Sequence, residues 1–183
     1  MRASPCTGTR VGKLTAALLL CTAVARAHQP RPVSATASEA LALCEAADAA
    51  PLPDRVAILS RGLERAEEAV RENPQDATAH FAVFCNLGKR TDLRRRALGF
   101  FALLSDLTRV RRELDDALAL APDYAAALAA KGQMLTELPR FLGGDPEQGQ
   151  RLLRRAVALD PDDTRMRSML ASRIATAGDT QPR

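Results

Sequence analysis

Imidazole and thiol chemistry in this chain of 183 residues rests on two histidines, His28 and His80, and four cysteines, Cys6, Cys21, Cys44 and Cys85. No pair among them has the local spacing of a zinc site, and two imidazoles cannot furnish one without acidic help. His28 would gain a chelating amine if the chain were cut just ahead of it, and His80 is a second imidazole for copper. No third ligand stands in a recognisable arrangement, so no metal is expected. Acids pair at Glu67-Glu68, Asp115-Asp116 and Asp162-Asp163. General acid–base work needs carboxylates that converge, whereas adjacent helical positions do not face each other, so these pairs read as helix ends and solvated faces. The chain has no glycine-rich phosphate loop, no Gly-x-Ser-x-Gly elbow and no His-Glu-x-x-His pair. The expectation is a protein without catalytic residues and without a cofactor.

The bulk numbers narrow the classes further. At 46% hydrophobic and 26% charged residues the chain is neither disordered by composition nor a polytopic membrane protein. Its 26 Lys and Arg against 22 Asp and Glu, a net charge of +4, invite a nucleic-acid reading. Four of those bases, Arg2, Arg10, Lys13 and Arg26, lie in the first 27 residues, which contain no acid. There they accompany an apolar run from Leu14 to Ala25 and the small residues of Ala25-Arg26-Ala27, which are the parts of a secretory signal peptide. The run is too short to span a membrane, which takes ~20 apolar residues. A lipid anchor at Cys21 is disfavoured because Leu20 stands where lipobox sequences carry a small residue. Cleavage after Ala27 is therefore expected, with export to a bacterial periplasm.

Without the leader the bases fall to 22, equal to the acids, and the excess that phosphate binding draws on disappears. Five Phe, one Tyr and no Trp leave little for base stacking. The clusters Arg94-Arg95-Arg96, Arg109-Arg111-Arg112 and Arg154-Arg155 read as solvated helix faces. Of the cysteines, Cys44 and Cys85 stay. Two readings stand: a disulfide, which an oxidising compartment permits if the Cα atoms come within ~7 Å, or two buried thiols.

The elements that must position these groups are helices. Residues 28–37, with Pro30 and Pro32, read as a flexible segment, 38–177 as one helical domain and 178–183 as a disordered tail. Helices are expected at 38–50, 53–72, 77–87, through 93–120, at 124–138, around 152–159 and at 163–176. Val56, Leu59, Leu63, Ala66 and Val70 make one stripe, and Leu152, Leu153, Ala156, Val157 and Leu159 another. No segment alternates with period two long enough for a strand, so the fold class is all-α.

Three segments end alike, at Ala69 to Pro74, Ala117 to Pro122 and Ala156 to Pro161, with Ala five residues before Pro and a new helix shortly after. A small residue there lets helices approach, and the proline ends one helix and fixes φ for the turn. With Gly132 and the Gly144-Asp145 turn, this pattern resembles the tetratricopeptide repeat (TPR), a unit of ~34 residues made of two helices. Pro74 to Pro122 is 48 residues and Pro122 to Pro161 is 39, so the units carry insertions of about 14 and 5 residues. Phe84 stands where the next unit has Gly132, so the first copy is degenerate. The run from Gly132 through Leu138-Pro139 and Arg140-Phe141-Leu142 to Gly143-Gly144-Asp145-Pro146 resembles the T component associated with TRAP transporters. Ala79 to Lys89, followed by an inserted helix, is also similar to the regulator of microtubule dynamics group.

What the resemblance implies is a right-handed stack of antiparallel helix pairs that binds another protein, such as the substrate-binding subunit of a transporter, and does no chemistry. A homo-oligomer is compatible with it. Candidate groove residues are Asn86, Lys89, Lys131 and Arg140, polar positions on or next to the presumed groove-lining helices. Pro139 is expected to end a helix, Gly143 and Gly144 to supply positive φ, and Asp145 to cap the next helix, with Pro146 at its first position. A second function from another class is a periplasmic carrier of a small apolar molecule, its pocket closed by the inserted helix over 93–104 with Phe100, Phe101 and Leu103.

Overall fold

The computed structural model describes residues 34–99 and 101–178, with side-chain environments described for 34–99 and 104–172. The expected leader, residues 28–33 and the tail beyond 178 lie outside the described residues. Among the described residues seven α-helices follow one another: α1 (Ala35–Ala49), α2 (Leu52–Glu72), α3 (Ala77–Leu98), α4 (Phe101–Leu120), α5 (Ala125–Glu137), α6 (Pro146–Leu159) and α7 (Thr164–Gly178), with a 3-10 turn, Arg140–Leu142, between α5 and α6. There is no strand among the described residues, and the all-α class stands.

Each helix packs against the next in sequence, and α1 reaches past α2 to pack on α3 as well. The α4–α5 contact is the sparsest between neighbours, whereas α3 with α4 and α5 with α6 are closely paired. Ala69, Ala117 and Ala156, the small residues five positions before each proline, are all 0% exposed. Their carbonyls accept the last helical N–H at the same place in each turn, from Asn73 (2.9 Å), Ala121 (2.9 Å) and Asp160 (3.0 Å). The repeated spacing in the sequence is thus a repeated turn in the structure.

Several boundaries differ from the expectation. The chain is ordered into the fold before residue 38: the Ser34 hydroxyl accepts from Ala37 N–H (3.0 Å) and caps α1, and Ala37 is fully buried. Residues 34–37 therefore belong to the helical domain and not to a flexible segment. The separate helix expected over 93–104 does not form. Residues up to Leu98 extend α3, Gly99 breaks it with φ 86°, and α4 starts at Phe101, so the extra length of this unit lengthens a helix pair. Two expected stripe residues also face water, Val56 at 47% and Leu159 at 44% exposure, because each lies near a helix end where no neighbour covers it.

The core is built from alanine and leucine more than from aromatics. Ala40, Leu63, Ala66, Ala82, Val83, Leu87 and Val110 join α1 to α4. Leu128, Ala129, Leu153, Ala156 and Met166 join α5 to α7. Between them Phe81, Leu114, Ala117 and Ala127 bridge the two groups, with the Tyr124 ring edge-on to Phe81 at 5.0 Å.

Candidate functional site

Glu113 of α4 is a carboxylate with only 6% of its surface exposed. Burying an ionised acid is unfavourable unless it is paired and hydrogen-bonded. Its Oε2 lies 2.8 Å from His80 Nδ1 on α3, while Oε1 faces Arg112 (3.5 Å) and Arg109 (3.8 Å) of its own helix. Arg109 also donates to Glu67 of α2, which extends the chain of charges over three helices. On the far side of the imidazole, His80 Nε2 lies 3.1 Å from the Pro74 carbonyl. Asp116, one turn beyond Glu113, brings a second carboxylate, and the candidate ligand atoms of His80, Glu113 and Asp116 all lie within 4.8 Å of one another. A shallow cleft of about 230 Å³ opens beside Glu113, bordered by Glu67, Val70, Arg71, Val83 and Arg109.

This cluster was not visible in the sequence. His80 and Glu113 are 33 residues apart, and the Asp115-Asp116 pair read as a solvated face. Asp115 does face outward, to Lys131 Nζ at 2.7 Å, but Asp116 turns inward. Glu67 and Glu68 divide between Arg109 and Arg65. Asp163 caps α7 by accepting from Arg165 N–H (2.8 Å) and Met166 N–H (3.0 Å). The one local signal was the i, i+3 spacing of Glu113 and Asp116, which puts both on one side of α4.

The four polar positions expected to line a groove separate. Asn86 is 0% exposed, a correction: its Nδ2 donates to the Ala40 carbonyl (3.0 Å) and the Ala82 carbonyl (2.9 Å), tying α1 to α3. It cannot reach a partner. Lys89, one turn further on, is committed to α1, where Nζ donates to the Cys44 carbonyl (2.8 Å) and Asp48 (2.8 Å). Lys131 pairs with Asp115. Arg140 is exposed, and so is its neighbour Phe141, at 79%.

The Leu138 to Pro146 turn does most of what its residues suggested. Helix α5 stops at Glu137, ahead of Pro139, and Gly143 takes φ 77°. The Asp145 carboxylate accepts from Gln148 N–H (2.9 Å), and Pro146 is the first residue of α6. Gly144 is corrected in its reason. Its backbone is not left-handed; a Cβ there would stand 1.8 Å from the Leu138 carbonyl oxygen, so the turn closes only over a glycine. Arg111 reaches in from α4 to donate to the Leu142 carbonyl, so this arginine is not part of a solvated face.

Cys44 and Cys85 are free thiols in one apolar cluster with Ala47 and Leu59, Cys44 fully buried. The Cys85 thiol hydrogen-bonds to the Cys44 sulfur, which lowers the Cys44 pKa, with Lys89 adding to the effect against burial. The same bond and burial push Cys85 well up. Phe100 and the side chains of Phe101 and Leu103, on which a carrier pocket depends, lie outside the described residues, and the helix that would close it over 93–104 is absent.

No family model matches the chain, and no curated protein is significantly similar to it.

Proposed function

We propose that this protein is an exported TPR-like scaffold that recognises another protein and works as the accessory T component of a TRAP-type solute uptake system. The observation that carries the scaffold reading is the turn repeated at Ala69, Ala117 and Ala156, each alanine fully buried and each followed within a few residues by a new helix. Helix pairs joined in this way and packed in chain order are how repeat proteins present an extended surface. For the transporter role the support is the Leu-Pro and Gly-Gly-Asp signature, whose turn displays Arg140 and Phe141 to solvent. Arginine and aromatic side chains are the types that anchor protein interfaces.

The test is affinity capture of the exported form from a periplasmic extract, with N-terminal sequencing of that form. The reading expects a chain beginning at His28 and recovery of a solute-binding subunit, lost in the Arg140→Ala, Phe141→Ala double variant. Recovery undiminished by the double variant removes the turn from the interface, and a chain retained in the cytoplasm with its leader intact overturns the export reading.

A further inference from the structure

The fold assembles a donor set that local spacing in the sequence excluded. We propose that His80, Glu113 and Asp116 form a binding site for a divalent transition-metal ion of the Zn²⁺ type, clamping α3 to α4.

The first argument is the orientation of the imidazole. A carbonyl oxygen only accepts, so with His80 Nε2 lying 3.1 Å from Pro74 O, that nitrogen carries hydrogen and donates. This is how histidine ligands are held in metal sites, where the ring N–H that does not face the metal goes to a carbonyl or carboxylate and fixes the tautomer. The nitrogen left over, Nδ1, presents its lone pair to Glu113 Oε2 at 2.8 Å. Two acceptors at that distance need a proton shared between them or a metal ion bound to both.

The second argument is the set of groups around that centre. Arg109 and Arg112 both address Oε1 of Glu113, leaving Oε2 to the imidazole side. Asp116 supplies the third donor from the same side of α4, and all three ligand atoms fall within 4.8 Å of one another. Zinc–nitrogen and zinc–oxygen bonds of ~2.0–2.2 Å hold neighbouring ligand atoms about 3–3.5 Å apart, so a small opening of the 2.8 Å His80–Glu113 pair and rotation of the Asp116 carboxylate toward it complete the triangle. One imidazole and two carboxylates suit a borderline divalent ion such as Zn²⁺ better than Ca²⁺, which takes oxygen ligands only. Three protein ligands leave a further coordination position for water.

The experiment is calorimetric titration of Zn²⁺ into the metal-free full chain, repeated with His80→Gln and Asp116→Asn, the fold of each variant checked by circular dichroism. One ion per chain is expected, with affinity reduced by more than about tenfold in either variant. Asp116 is only half-buried, so Asp116→Asn carries the test if His80→Gln fails to fold. Co²⁺ is added as a spectroscopic probe, and nitrogen–oxygen ligation should give visible bands without a thiolate charge-transfer band. No binding, wild-type affinity in the folded variants, or a thiolate band that places the ion on Cys44 and Cys85 would each overturn the proposal.

Discussion

Gly62 of α2 lies directly beneath the Asn86 amide of α3: a Cβ built on Gly62 would stand 2.0 Å from Asn86 Oδ1. The amide cannot swing aside, because its Nδ2 holds two carbonyls on α1 and α3. Gly62→Ala, with so close an approach, is therefore expected to lose about 2–3 kcal/mol to overpacking, more than the ~1 kcal/mol of helix propensity it gains. Asn86→Ala should lose about 2–3 kcal/mol through its two hydrogen bonds and the vacated volume. In that background Gly62→Ala becomes neutral or favourable, since the obstructing oxygen is gone. Urea unfolding of the four proteins in a double-mutant cycle measures the coupling, and additive effects would show that the two residues do not meet.

Glycines in helices should divide by what stands opposite them. A Cβ on Gly149 would meet the Gly132 carbonyl oxygen at 2.6 Å, and one on Gly132 would meet the Gly149 carbonyl oxygen at 2.7 Å. Backbone cannot yield as a side chain does, so Gly132→Ala and Gly149→Ala should each cost about 2 kcal/mol or more by separating α5 from α6. At Gly88 the nearest atom is Val110 Cγ1 at 3.8 Å, an ordinary contact. Gly88→Ala is expected to stabilise the protein by about 0.5–1 kcal/mol. A rise in melting temperature for this variant alone is the check.

Asp145→Ala removes the acceptor for Gln148 N–H at the start of α6 and should cost ~1 kcal/mol, with Asp145→Asn close to wild type. A melting temperature unmoved by Asp145→Ala would mean that water replaces the cap at no loss.

The single tyrosine, Tyr124, is pushed up to about 12, by burial first and then by the neighbouring Cys85. The folded state thus holds its phenol proton where the unfolded chain has begun to release it, near 10. The contribution to stability is complete below pH 10 and is lost as pH rises from about 10 to 12. Spectrophotometric titration should show tyrosinate appearing near pH 12 in native protein and near 10 in urea. Coincident curves would place the ring in water.

Local sequence pattern locates the helices but not the cluster at Glu113, and the difference is one of range. Ala five residues before Pro, Asp before Pro146, and Gly143 act within a turn or two of backbone, so their roles were legible from neighbours alone, whereas the need for glycine at 144 comes from the Leu138 carbonyl that closes over it. Asn86, by contrast, looked like a polar groove residue because a single helix does not say which of its faces α1 and α2 will cover. Val56 and Leu159 misled in the opposite direction, as apolar residues at helix ends that nothing reaches.

Helicity, element order and the three proline turns were determined by the sequence itself, since capping, periodicity and proline geometry are local energies. Only the tertiary structure decided that Asn86 would be buried, that two thiols 41 positions apart would touch, and that His80 would meet Glu113 and Asp116. Those pairings depend on how one helix rotates against another. That rotation is set by close packing over small residues such as Gly62, Gly132 and Gly149, whose partners lie far away in the chain.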